Sequence, residues 1–126
     1  VMCEKGLGVV KNDNEAVRWF CLAADQRDST AQFSLGVMFA NGRGVKTNDK
    51  EAVRWYRLAA EQGHIDAQIN LGVMCETGRG VVKNDNEAVR WYRLAAEQGF
   101  RDAQFNLGNM YHLGEGVEKN DKEAVR

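Results

Sequence analysis

The side chains able to do chemistry are few in this chain of 126 residues, and their spacing argues against most chemistries. There are three cysteines, Cys3, Cys21 and Cys75, and two histidines, His64 and His112. An odd number of thiols in no metal-ligand spacing gives neither a disulfide framework nor a metal cradle. Cys3 and Cys75 occupy the same place in an internal repeat, two units apart. At ~10 Å per packed helix layer they stand ~20 Å from each other, far beyond disulfide reach. Small buried or half-buried thiols are the better reading. No Ser, Cys or carboxylate is fixed beside either histidine by spacing, so no nucleophile and base pair up. Glu76 and His112 share a repeat position at ~10 Å, too far to share a metal without a third ligand. The G-x-G stretches Gly42–Gly44 and Gly78–Gly80 do not follow a strand, so they make poor phosphate cradles. The expectation is a protein with no catalytic residues, no cofactor and no metal.

Composition narrows the partners. Lys plus Arg (17) nearly balances Asp plus Glu (18), for a formal net charge of −1. No basic excess drives phosphate contacts, so nucleic acid is not the expected partner. No apolar run approaches ~20 residues, so membrane insertion is not expected either. Proline is absent, where average usage of about 5% predicts roughly six. That suits a chain made mostly of helix.

The elements that position these side chains repeat. Ala31-Gln32, Ala67-Gln68 and Ala103-Gln104 recur every 36 residues. They define the units Ala31–Asp66 and Ala67–Asp102, with partial units Val1–Thr30 and Ala103–Arg126. The two full units are identical at 26 of 36 positions. All 13 glycines fall on four repeat positions, so each has a recurring backbone role rather than a single-site chemical one. A repeat of this length points to a stacked array of one supersecondary unit.

Each unit reads as two antiparallel helices. A first helix, A, begins after Thr30, Asp66 or Asp102, all good N-cap types. It runs to the glycine at 42, 78 or 114, where a left-handed cap fits. Its core stripe in one full unit is Ala67, Leu71, Met74 and Gly78, with Cys75 at the edge. A second helix, B, begins at Asn12, Asn48, Asn84 or Asn120, each followed three residues on by Glu, a capping-box spacing. It ends at Gln62-Gly63 or Gln98-Gly99. Arg27 stands where the first unit needs that glycine, so its turn is expected to be less ideal. The apolar stripe of helix B is wide: Ala52, Trp55, Tyr56, Leu58, Ala59 and Ala60, repeated from Ala88 to Ala96. Such a stripe needs neighbours on two sides, which stacking supplies. Trp19, Trp55 and Trp91 share one position and read as core. Arg57–Glu61 and Arg93–Glu97 have ion-pair spacing. The glycine at Gly36 and Gly72 lets a facing helix come close.

A-Q-x-x-L-G-x-M at 67–74, G-R-G-V at 78–81 and N-D-x-E-A-V-R-W-Y-R-L-A-A-E-Q-G at 84–99 resemble the Sel-one-like repeat (SLR) family, relatives of the tetratricopeptide repeats. The resemblance covers the whole chain. It implies an all-α, right-handed α-solenoid of helix hairpins, here one array over residues 1–126. It also implies an adaptor or assembly scaffold for other proteins, often in bacteria. A cysteine-rich branch, linked to penicillin binding, ties each hairpin with a disulfide; this chain lacks the paired cysteines.

The full units are identical from Glu51 to Gly63 and from Glu87 to Gly99. The ten differences gather on helix A and in the connecting turns. The family's concave groove is lined by the A face opposite its core. On this chain that face is Phe33, Val37, Ala40 and Asn41; then Ile69, Val73, Glu76 and Thr77; then Phe105, Asn109, His112 and Leu113. A peptide or partner helix is expected to lie on these residues, anchored by the apolar ones. The plainer alternative has Phe33, Ile69 and Phe105 packing between adjacent A helices. Two alternative functions stand beside it: a cell-wall or β-lactam hydrolase by family analogy, and a structural array that self-associates end to end.

Overall fold

Asparagine caps and glycine stops set the helix boundaries, and from them the hairpins follow. The computed structural model describes residues 11–114, and of Lys11 and Asn12 the backbone alone. The chain forms two compact units, Val1–His64 and Ile65–Arg126. In the first, the helices are α1 (Lys11–Asp25), α2 (Ser29–Asn41) and α3 (Asp49–Glu61). In the second, they are α4 (Ile65–Thr77), α5 (Asp85–Glu97) and α6 (Arg101–Leu113). No strand occurs among the described residues. The expectations for Cys3, for the helix from Asn120 and for the two ends of the chain lie outside them.

The B-type helices start as the capping pattern requires. Asn48 and Asn84 are extended N-caps whose side chains accept from the Glu51 and Glu87 N–H groups, at 3.1 and 3.0 Å. The reciprocal half of the box is replaced. The Asn48 and Asn84 N–H groups donate instead to the Phe39 and Cys75 carbonyls, at 2.9 and 2.8 Å. Each cap thereby ties helix B to the helix A before it. Asn12 differs, because α1 already includes it.

The A-type helices begin two residues earlier than expected. Thr30, Asp66 and Asp102 lie inside the first turn. Asp28 caps α2 by accepting from the Ala31 N–H at 3.0 Å, while Phe100 occupies that place in α6 with no side-chain bond. The shift arises because helix B closes in a compact turn that leaves only three residues before the next helix. Gly63 N–H reaches the Ala60 carbonyl and His64 N–H the Ala59 carbonyl, at 3.0 and 3.1 Å, the paired bonds of a Schellman turn. Gly63 and Gly99 take φ of 92° and 90°. Arg27 is driven into the same left-handed region, φ 71°, and makes the same bonds to Ala24 and, through Asp28, to Ala23.

The core of the first unit joins Val17, Cys21 and Ala24 of α1, Ala31, Leu35 and Met38 of α2, Val45 of the loop that follows, and Trp55 of α3. In the second, Ala67, Leu71, Met74 and Cys75 of α4 and Ala88, Val89, Trp91, Tyr92 and Ala95 of α5 are buried, with Ala103 and Met110 of α6. Trp55 and Trp91 are 3% and 6% exposed, as core packing requires. Trp19 is not: it is 66% exposed. Trp55 is buried in the cluster that also holds Val17, Cys21 and Ala24 of α1. Leu58 and Leu94 are also partly exposed, and Val53 and Val89 are buried in their stead. At about 100° per residue, Leu58 stands roughly 60° beyond Trp55, outside the buried arc that Val53 closes on the other side. Gly78 ends its helix in the open rather than in the core.

Glycine inside helix A permits the closest contact of each hairpin. A Cβ at Gly36 would fall 2.4 Å from the Tyr56 ring, and one at Gly72 2.6 Å from the Tyr92 ring. A buried glutamine in α2 and its counterpart in α4 add a polar seam. Gln32 donates to the Ala24 carbonyl (3.3 Å) and accepts from Gln62 (2.8 Å). Gln104 reaches the Ala96 carbonyl (3.2 Å) in the same way. These carbonyls, near the ends of α1 and α5, also accept from the Arg27 and Gly99 N–H groups of the following turns, at 2.9 and 3.0 Å.

Candidate functional site

The twelve residues expected to meet a partner divide between the two units. On α2, Phe33, Val37 and Ala40 are half-buried and Asn41 is exposed. Phe33 stacks on His64 with ring centroids 4.7 Å apart and tilts onto Tyr56 at 5.8 Å. Its aromatic contacts are thus with its own hairpin. His64 is half-buried, with its ring against Phe33.

The second unit carries the more open face. On α4, Ile69 and Glu76 are half-buried, Val73 is 39% exposed and Thr77 is exposed. The Thr77 hydroxyl donates back to the Val73 carbonyl at 2.8 Å, a bond within its own helix. On α6, Phe105 is 70% and Leu113 64% exposed, with Asn109 and His112 also open to solvent. Both helices pack against α5.

Glu76 accepts a hydrogen bond from the Tyr92 hydroxyl at 2.8 Å. Tyr92 is fully buried. Burial first, and then the Glu76 carboxylate beside it, push the Tyr92 phenol well above its ordinary value, so it stays a donor. Arg93, expected to pair with Glu97, instead donates to the Tyr111 hydroxyl, its guanidinium 5.5 Å from that ring. The backbone repeat hid both contacts. Each joins a helix B position to a helix A position that differs between units. Only the pairing of Tyr92 with the glutamate at 76, where the earlier unit has Ala40, could have signalled the first.

Cys21 and Cys75 are buried thiols. No group of three or more His, Cys, Asp or Glu side chains that could hold a metal occurs among the described residues. None of the described helices is long and apolar enough to cross a membrane.

The sequence profile of the Sel1 repeat matches residues 1–28, 29–64, 65–100 and 101–126. The chain belongs to the Sel1 repeat family. Its repeat frame begins each unit two residues before Ala31, Ala67 and Ala103, where the A helices in fact start. The structure resembles a Sel1 repeat protein from Oxalobacter formigenes, with 44% identity and a TM-score of 0.88, over 98% of this chain and 51% of that one. It resembles c5321, a protective antigen of uropathogenic Escherichia coli with an SLR fold, at 42% identity and a TM-score of 0.88, over 90% of this chain and 24% of that one. Cysteine-rich protein B of Helicobacter pylori matches at 27% identity and a TM-score of 0.70, over 94% of this chain and 85% of that one. The chain therefore spans about half the length of the first of these proteins and a quarter of the second. No curated protein gives a significant match.

Proposed function

We propose that this Sel1 repeat chain is a non-catalytic interaction module that holds a partner peptide or helix against its A-type helices. Sel1 repeats commonly build protein-interaction scaffolds. The observation that carries the reading here is where the apolar surface lies. Phe105, Leu113 and Val73 stand exposed on α6 and α4; Phe105 and Leu113 replace Ile69 and Thr77 of the preceding unit, and Val73 gives way to Asn109 in the next, while the B helices that support them are kept alike. Exposed apolar side chains ringed by polar ones, here Asn109, His112 and Thr77, mark contact surfaces in soluble proteins. In the first unit the same positions of α2 carry no charge at all, which suits an apolar contact.

A photo-crosslinking residue tests the face directly. Placed at Val73 or Asn109 it should capture a partner from an extract of the source cell, and an excess of unlabelled chain should compete the product away. Placed at Arg90 or Glu97, on the outer side of α5, it should capture none. Equal capture from both sides would refute the assignment of the face, and a product that resists competition would refute specific binding.

A further inference from the structure

We propose that Glu76 selects a partner segment carrying a lysine or arginine, with the cation seated on its carboxylate and an adjacent apolar side chain on Val73 and Ile69. The inference rests on the binding reading above and names what that face of α4 prefers. Glu76 is half-buried, and its only interaction among the described residues is with Tyr92, through Oε1. No cation lies against it among those residues. A carboxylate with no counter-charge against it, held in place by a hydrogen bond, attracts a cation from a partner chain. The other acid of α4, Asp66, lies ten residues away, about 15 Å along the helix, so no second acid of α4 shares the site.

Neighbouring side chains define what else the segment needs. Ile69, Val73 and Glu76 follow one another at spacings of four and three, which places them in line on one side of the helix. Thr77 is already bonded to its own backbone and offers little competition for the cation. The Tyr92 hydroxyl fixes the carboxylate from below and remains protonated as a permanent donor. The tyrosine recurs as Tyr56, but its counterparts at position 76 are Ala40 and His112. The anionic preference therefore belongs to this one repeat. A single carboxylate with no second ligand does not hold a metal, which leaves an organic cation on a partner chain as the fitting occupant.

The test uses random dodecapeptides displayed on phage and selected on the immobilised chain, with the enriched peptides then synthesised and titrated by fluorescence anisotropy. Enriched peptides should carry Lys or Arg within three or four residues of an apolar side chain. Glu76→Gln should weaken them about tenfold, the scale of a hydrogen bond to a charged group, and should flatten the salt dependence of binding. Glu76→Lys should abolish the basic preference and select acidic peptides. Tyr92→Phe should weaken binding two- to threefold (roughly, for a carboxylate left free to rotate) while keeping the salt slope. Peptides that bind Glu76→Gln as well as the parent, yet are lost on Val73→Asp, would overturn the cation preference and leave the binding face standing. Peptides indifferent to both substitutions, or no enrichment at all, would overturn the two together.

Discussion

α3 and α5 carry the same residues from Glu51 to Gly63 and from Glu87 to Gly99, but they use them differently. In α5 the Glu87 carboxylate accepts from the Trp91 indole N–H at 3.1 Å. In α3 Glu51 turns to Arg54 at 3.3 Å, and the buried Trp55 N–H has no acceptor among the described residues. Nothing in the structure explains that choice. The tyrosines are clearer. Tyr56 lies beside Phe33, and Tyr92 donates to Glu76. Identical B helices thus acquire different chemistry from the A helix each one faces. The constant helix supplies spacing and burial, and the variable helix decides which polar and aromatic groups are engaged.

Breaking the constant part should have the largest effect. Trp55→Ala or Trp91→Ala removes a buried indole and should cost about 3–5 kcal/mol, read as a shift in the urea midpoint. Trp19→Ala, at an exposed site, should stay within about 0.5 kcal/mol. Equal losses at all three would contradict the difference in burial between them.

Gly72→Ala probes the next contact. Alanine improves helix propensity by about 1 kcal/mol, but its methyl group meets the buried Tyr92 ring. Overpacking of this kind costs about 1–3 kcal/mol or more, so the variant should be less stable on balance. A more stable Gly72→Ala would show that the ring has room to retreat.

Tyr92 gives the comparison a pH dependence. Its folded pKa lies above the unfolded value of about 10. The native state therefore keeps a proton that the unfolded chain releases, and stability should be intact below about pH 10 and fall as the pH rises further. Tyr92→Phe should flatten that alkaline loss, measured by denaturant titration at pH 9 and pH 11. An unchanged slope would assign the loss to other groups.

The smallest expected change is a gain. Arg27 holds φ 71° where Gly63 and Gly99 stand in the equivalent turns. Arg27→Gly should remove a left-handed penalty of about 1 kcal/mol, offset in part by the freer unfolded chain. Calorimetry should show a melting temperature raised by a few degrees at most.

Much of the fold was legible because it is written several times over. Asn48 and Asn84 announced the B helices, Gly42 and Gly114 the ends of the A helices, and Arg27 the awkward turn. The A-helix starts were misplaced because Thr30, Asp66 and Asp102 are good cap residues by type. The Schellman turn, however, brings the chain into helix two residues sooner. Trp19 shares the repeat position of Trp55 and Trp91 but not their burial, because a repeat position sets the side of a helix and not the neighbours that cover it. The expected face was drawn from the helix that varies; Val73 and Thr77 on α4 and Phe105, Asn109, His112 and Leu113 on α6 are open to solvent, whereas Ile69 and Glu76 are half-buried. The finer wiring was not legible, since the contacts of Tyr92 with Glu76 and of Arg93 with Tyr111 join consecutive helices at positions that do not recur from unit to unit.

The glutamine seam has a bearing on how such a chain can lengthen. Gln32 and Gln104 each donate to a carbonyl at the end of the preceding helix, Ala24 and Ala96, which also accepts from the turn N–H of Arg27 and Gly99. Any duplicated segment of one period carries both halves of this joint, the amide at its start and the carbonyl near its end. A recombination event can splice in another unit without stranding a buried polar group, so array length is free to drift while the joints stay chemically complete.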